Sequence, residues 1–212
     1  MEIAILVYPR FTALDAVGPY EVLSRLPDAK VTFVAEHAQA YRTDTGQLAL
    51  QADATIGEFP NPEVLLVPGG PGQAALMEDG PVHAWLRAAD VTSTWTASVC
   101  TGSLILAAAG LLSGKRATSN WQALGELRDL GVEVVPERFV FHGKYVTSAG
   151  VSAGIDMALA LAARIAGDRV AEAIQLGLEY DPQPPFDAGS PEKAPAEIVQ
   201  AVRARSRFEQ VT

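Results

Sequence analysis

The chain's one cysteine, Cys100, lies in Trp95-Thr96-Ala97-Ser98-Val99-Cys100-Thr101-Gly102-Ser103, where an apolar run gives way to small residues and then to a second apolar stretch. A strand that enters a helix through so tight a turn holds the apex residue in a strained conformation and exposes its side chain above the sheet. The helix start carries unpaired N–H groups and a partial positive charge, both of which favour thiolate over thiol. Cys100 is therefore read as a nucleophile of lowered pKa. A lone cysteine in an apolar segment is usually a buried filler. The order strand, elbow, small residues, helix reverses that reading, because filling space requires none of it.

Two other segments could serve this thiol. Leu65-Leu66-Val67-Pro68-Gly69-Gly70-Pro71-Gly72 ends an apolar run in a glycine-rich turn, where backbone N–H groups can approach a ligand unobstructed. Gly69 and Gly70 are the candidate anion-stabilising donors. The turn lacks the Lys-Ser/Thr ending of a P-loop, and a Gly-Pro turn can equally be plain punctuation. Asp15, in Thr12-Ala13-Leu14-Asp15-Ala16-Val17-Gly18-Pro19, either caps a helix or brings a carboxyl to Cys100. His37, His83 and His142 are read as surface or packing residues. No pair has i, i+4 metal-binding spacing, so no metal is expected.

These residues need a scaffold that gathers loops at one end of a sheet. Glu2 to Tyr8, Val31 to Ala35, Val64 to Val67 and Trp95 to Val99 are short apolar runs, the pattern of strands buried on both faces. Asp15 to Leu26, with Pro19 suited to a first turn, and Pro81 to Ala89 read as the helices between them. The alternation predicts right-handed βαβ units and a mostly parallel sheet. Ala40 to Ala52, around Thr45-Gly46, reads as a hairpin at one sheet edge. Beyond Cys100, Gly102 to Leu112 predicts a buried helix and Trp121 to Leu130 an amphipathic one. Strands at Glu133 to Val135 and on both sides of His142-Gly143-Lys144 follow. Ala153 to Ile165 is a second buried helix, with Ser152 as its expected cap. The proline-rich stretch Asp181 to Ala196 is read as extended chain before a final polar helix.

A chain of 212 residues, 49% hydrophobic and 19% charged, fits a single α/β domain over 1-212 with an ample core. A net charge of -9 repels phosphate backbones and anionic lipid, so neither nucleic acid nor membrane is an expected partner. MEIAILVY lacks the cationic start and cleavage site of a signal peptide, and no stretch suffices for a membrane span. One cysteine builds no intramolecular disulfide, so a cytoplasmic location is expected.

With these residues placed, the chain resembles the ThiJ/PfpI superfamily, and within it the branch that hydrates isonitriles. The similarity is carried by Leu14-Asp15 to Gly18-Pro19, Pro68-Gly69-Gly70, the elbow Ser98 to Ser103, and Ala153-Gly154-Ile155-Asp156. The tail Leu178-Glu179-Tyr180 to Pro184-Pro185-Phe186-Asp187-Ala188-Gly189-Ser190-Pro191 adds to it. The resemblance implies a flavodoxin-like three-layer α/β/α sandwich and a homodimer. It also implies Cys100 as nucleophile, Asp15 contacting the sulfur and Thr101 beside the substrate. Many members carry Glu where Asp15 stands. One departure is notable: where the family commonly has histidine after a Thr-Thr or Thr-Ser pair, this chain reads Thr118-Ser119-Asn120-Trp121. Amide hydrolysis relies on such a histidine to protonate its leaving amine, so its loss weakens a peptidase reading. The expected reaction is addition of water to an isonitrile through a covalent Cys100 thioimidate, with Asp15 carrying the proton and no cofactor. The alternatives are glyoxalase or deglycase chemistry on small carbonyl compounds and a non-catalytic ligand-sensing domain. Related domains form the N-terminal half of AraC-type regulators, but the given sequence stops soon after Arg207, with no stretch read as helix-turn-helix.

Overall fold

Four runs of β-branched and apolar residues form the central strands, and three of them bury nearly every side chain on both faces, Lys30–Ala35 being half-buried on one. The computed structural model describes residues 1–206. In chain order the strands are β1 (Glu2–Leu6), β2 (Lys30–Ala35), β3 (Ala40–Arg42), β4 (Ala49–Gln51), β5 (Ala54–Thr55), β6 (Val64–Val67) and β7 (Trp95–Val99). They continue as β8 (Arg116–Ala117), β9 (Glu133–Val134), β10 (Phe139–His142) and β11 (Tyr145–Ser148). The helices are α1 (Ala13–Leu23), α2 (Pro81–Thr92), α3 (Gly102–Ala108), α4 (Leu124–Asp129), α5 (Ala153–Ala166), α6 (Asp168–Gly177) and α7 (Ala196–Arg203). Short 3₁₀ turns occupy Pro71–Leu76 and Trp121–Ala123.

The main sheet has seven strands in the order β10-β11-β7-β6-β1-β2-β5. All neighbours are parallel except β10 and β11, which form an antiparallel edge pair through the turn at Gly143. β1 and β6 lie side by side, and from them the chain progresses in opposite directions across the sheet. Such a reversal opens a crevice at the C-terminal ends of the strands, where ligands of open α/β sheets bind. On the helical layers, α1 packs on α5 and α5 on α6, while α3 packs on α2 and α4. The mostly parallel sheet is the one the alternating pattern implied, and the arrangement is the flavodoxin-like α/β sandwich that the resemblance implied.

Helix α3 ends at Ala108, short of the expected Leu112, and two local features near the site also differ from the sequence reading. The hairpin β3–β4 forms its own two-stranded ladder just before edge strand β5, and is not hydrogen-bonded into the main sheet. It folds over the loop after β1, where the Arg10 amide donates to the Arg42 carbonyl (2.8 Å) and the Asp44 amide to the Phe11 carbonyl (2.9 Å). Helix α1 begins two residues earlier than expected, so Pro19 lies inside it rather than in its first turn. A proline there has no N–H for the Asp15 carbonyl. Packing compensates: Pro19 is buried, and α1 approaches α5 so closely that a Cβ on Gly18 would lie 3.0 Å from Ile155.

Candidate active site

Cys100 adopts φ 56°, a left-handed conformation that costs a non-glycine residue about 1 kcal/mol or more. Its backbone is tied on both sides. The amide donates to the carbonyls of Ser148 (3.1 Å) and Ala149 (3.0 Å), and the carbonyl accepts the hydroxyls of Ser103 (3.1 Å) and Ser119 (2.9 Å). Small residues let this elbow seat against β6: a Cβ on Gly102 would fall 2.0 Å from the Val67 carbonyl oxygen. The expected strand-to-helix turn is thus present, with the cysteine at its apex.

Asp15 comes from the first turn of α1 and is fully buried. It does not cap the helix; Thr12 occupies the cap position and makes no side-chain cap bond. One carboxyl oxygen, Oδ2, accepts the Gly69 amide at 2.9 Å, while Oδ1 is buried without a hydrogen-bond partner. Burial pushes the Asp15 carboxyl up to about 7, opposed by the Gly69 amide and the Cys100 thiol, and assisted by the nearby charge of Asp44. Asp44 reaches the site from the β3–β4 loop and accepts the Thr12 hydroxyl at 2.9 Å.

The thiol departs from the sequence expectation. Burial, then the Asp15 carboxylate, raise its pKa rather than lower it. Three groups act the other way: the Thr101 amide, the Asn120 side chain and the Val151 amide, each hydrogen-bonding the sulfur. A helix start thus favours the anion here, but Cys100 is only 6% exposed and desolvation outweighs that help.

Gly69 and Gly70 differ from expectation too. Their amides are engaged, Gly69 on Asp15 and Gly70 on the Thr101 hydroxyl (3.0 Å), so they fix side chains instead of facing open space. A Cβ on Gly69 would lie 2.4 Å from the Thr101 nitrogen, and Gly70 has φ 129°, so both positions require glycine. Thr101 therefore presents its backbone N–H to the sulfur while its hydroxyl bonds Gly70. All five expected residues, Cys100, Asp15, Thr101, Gly69 and Gly70, converge.

Four contributors escaped the sequence reading. Asn120 stood out as a departure, yet nothing in its type announced a bond to sulfur. The Val151 amide carries no side-chain signal. Tyr8 is buried after β1, donating to the Pro68 carbonyl at 2.8 Å, and its pKa is raised by burial and by Asp15 and Cys100. Asp44 was hidden in the hairpin. The histidines stay clear of these contacts: His83 is buried with Nε2 at 3.0 Å from the Leu76 carbonyl, and His142 accepts the Arg116 amide. Among the described residues no cluster of three or more His, Cys, Asp or Glu side chains could hold a metal. No helix among them is long and apolar enough to cross a membrane.

A model of the DJ-1/PfpI family matches residues 1–164, a span that includes Asp15, Cys100, Asn120 and Val151. The chain belongs to the DJ-1/PfpI family. It is 43% identical over 206 residues to the isonitrile hydratase of Pseudomonas putida, covering 97% of this chain and 90% of that one. It is 30% identical over 182 residues to the HTH-type transcriptional regulator CdhR of Pseudomonas aeruginosa, spanning 78% of this chain but only 51% of the regulator. Among solved DJ-1/PfpI structures, a ThiJ/PfpI family protein from Pseudomonas syringae superposes with a TM-score of 0.93 at 40% identity, covering 96% of this chain and 84% of that one.

Proposed function

We propose that the protein hydrates isonitriles, adding water to the terminal carbon to release an N-substituted formamide. The observation that carries this reading is one buried site joining a thiol to a carboxyl raised to about 7, with an amide side chain also at the sulfur. This chemistry needs a nucleophile and one proton carrier, and no amine leaves. The similarity to a curated isonitrile hydratase supports it.

In the resting site burial keeps the sulfur protonated, while Asp15 near neutral pH supplies a carboxylate to take that proton as attack begins. The S–C bond forms at the terminal carbon, and Asp15 returns the proton to the same carbon, leaving a thioimidate, R–N=CH–S–Cys100. Water adds across the C=N bond, hydroxyl to carbon and hydrogen to nitrogen. The C=O bond then forms as the C–S bond breaks, and the hydroxyl proton returns through Asp15 to sulfur. Thr101 lies beside the reacting carbon in this scheme, and Gly69 and Gly70 act by holding Asp15 and Thr101. The same reading makes the protein a cytoplasmic homodimer acting on a small molecule.

The test is incubation with cyclohexyl or aryl isonitrile and detection of the N-formyl product by chromatography. Product is expected from the native protein and none above background from Cys100→Ala. No product from the native protein, or full activity in the variant, overturns the reading.

A further inference from the structure

Asn120 stands at a junction whose geometry sets the orientation of its amide. It is the cap of the 3₁₀ turn Trp121–Ala123, with φ -51° and ψ 137°, and its Oδ1 accepts the Gln122 amide at 3.0 Å. Because Oδ1 is committed to that N–H, the NH₂ end must point the other way. There it meets the sulfur of Cys100 and the backbone at Gly150, where an added Cβ would sit 3.3 Å from Nδ2. The preceding residue reinforces the position, since the Ser119 hydroxyl donates to the Cys100 carbonyl at 2.9 Å. Residues 119 and 120 thus grip both the main chain and the side chain of the nucleophile.

We propose that Asn120 is a further catalytic residue, donating one side-chain N–H to the Cys100 sulfur and stabilising it as an anion without exchanging a proton. A neutral carboxamide neither gains nor loses a proton near pH 7, so Asp15 alone carries protons at the sulfur. That division suits a reaction in which one proton travels from sulfur to carbon. It also helps the final step, because the same N–H receives the departing thiolate as the C–S bond breaks. This catalytic consequence rests on the isonitrile reading; the contact with sulfur does not.

The experiment exploits the single cysteine, since alkylation of the whole protein by iodoacetamide reports Cys100 alone. The groups facing the sulfur and its carboxyl partner are Asp15 from α1, Tyr8 from the end of β1, and Asp44 from the β3–β4 loop, all kept in every variant. Asn120→Ser and Asn120→Asp retain an acceptor suited to the cap but lose the N–H donor, and Asp adds a charge that repels thiolate. Alkylation rates are measured from pH 6 to 10 by intact mass, alongside circular dichroism. The expected result is a rate near pH 8 about tenfold lower in Asn120→Ser and lower still in Asn120→Asp. The whole rate–pH profile should be displaced to higher pH in the same order, with wild-type circular dichroism. If Asn120→Ser, folded as the native protein, alkylates at the native rate across the range, the proposal is wrong. Absence of formamide product from the native protein would instead sink the isonitrile reading and leave the sulfur contact intact.

Discussion

Burying a carboxyl with one oxygen unpartnered makes its ionisation expensive, and Asp15 is such a carboxyl, raised to about 7 beside the Cys100 thiol. The folded pKa is raised from 3.8 to about 7, so the group's stabilising contribution is fully present below about pH 4 and is lost as pH rises through 7. The loss amounts to at most about 4 kcal/mol. Asp15→Asn keeps an acceptor for the Gly69 amide but cannot ionise. Its melting temperature should match the native protein near pH 4 and exceed it by several degrees at pH 8. A gap that does not change with pH would refute this account of the carboxyl. The same variant should lose about 10²- to 10⁴-fold in kcat for isonitrile hydration, measured by product formation, because the proton carrier is gone.

At the scale of elements, the ends of β1, β6, β7 and β11, the Ser119–Asn120 turn and one hairpin assemble the site. β1 leads to Asp15, β6 to Gly69 and Gly70, and β7 to Cys100, all at the C-terminal edge beside the point where strand order reverses. The opposite end of β7 is anchored by a polar knot: buried Asp90 accepts the hydroxyls of Thr96 (2.6 Å) and Tyr145 (2.8 Å) and pairs with Lys144. Hairpin β3–β4 adds a second carboxylate near Asp15. Asp44→Asn removes a charge that raises the Asp15 pKa, so the pH window over which stability falls should move to lower pH. Thermal melts at half-unit pH steps would detect this, and an unmoved window would exclude the hairpin from the site's electrostatics. The elbow is equally checkable. Gly102→Ala drives a Cβ into the Val67 carbonyl, and a loss of about 1–3 kcal/mol or more is expected in urea unfolding.

Across the whole molecule, the tail joins segments that lie far apart in the chain. Tyr180 donates to Asp156 at 2.6 Å, and Arg138 pairs with the same carboxylate, so the tail start is tied to α5. Farther on, Gln122 donates to the Val202 carbonyl at 3.3 Å and the Arg203 guanidinium lies 5.4 Å from the Trp121 ring centre. The helix α7 thereby rests on the turn that Asn120 begins. Yet Phe186 is 79% exposed, Ile198 50% and Val202 45%, apolar side chains that an interface would cover. A homodimer covering these side chains should elute with about twice the monomer mass of 22.4 kDa in light scattering. Phe186→Asp should shift it toward monomer; a native monomer at all concentrations would contradict the assembly.

Strand cores, the elbow and its cysteine were legible in the amino-acid order, because burial on both faces imposes continuous apolar runs and a tight turn imposes small residues. Val64–Val67 and Trp95–Val99 have the expected bounds for that reason. Helix α6 and the short strands β5 and β8 were not anticipated: the strands are two residues each, and α6 buries only Ala171 and Ile174 on an otherwise polar helix. The cap expected of Ser152 forms no side-chain bond, and Pro19 sits within a helix, because contacts between α1 and α5 override local preference. The protonation of Cys100, the bonds of Asn120 and the Val151 amide to its sulfur, and the approach of Asp44 were decided by the tertiary structure alone. Desolvation and hydrogen bonding depend on which distant segments close over a group, and no local pattern encodes that closure.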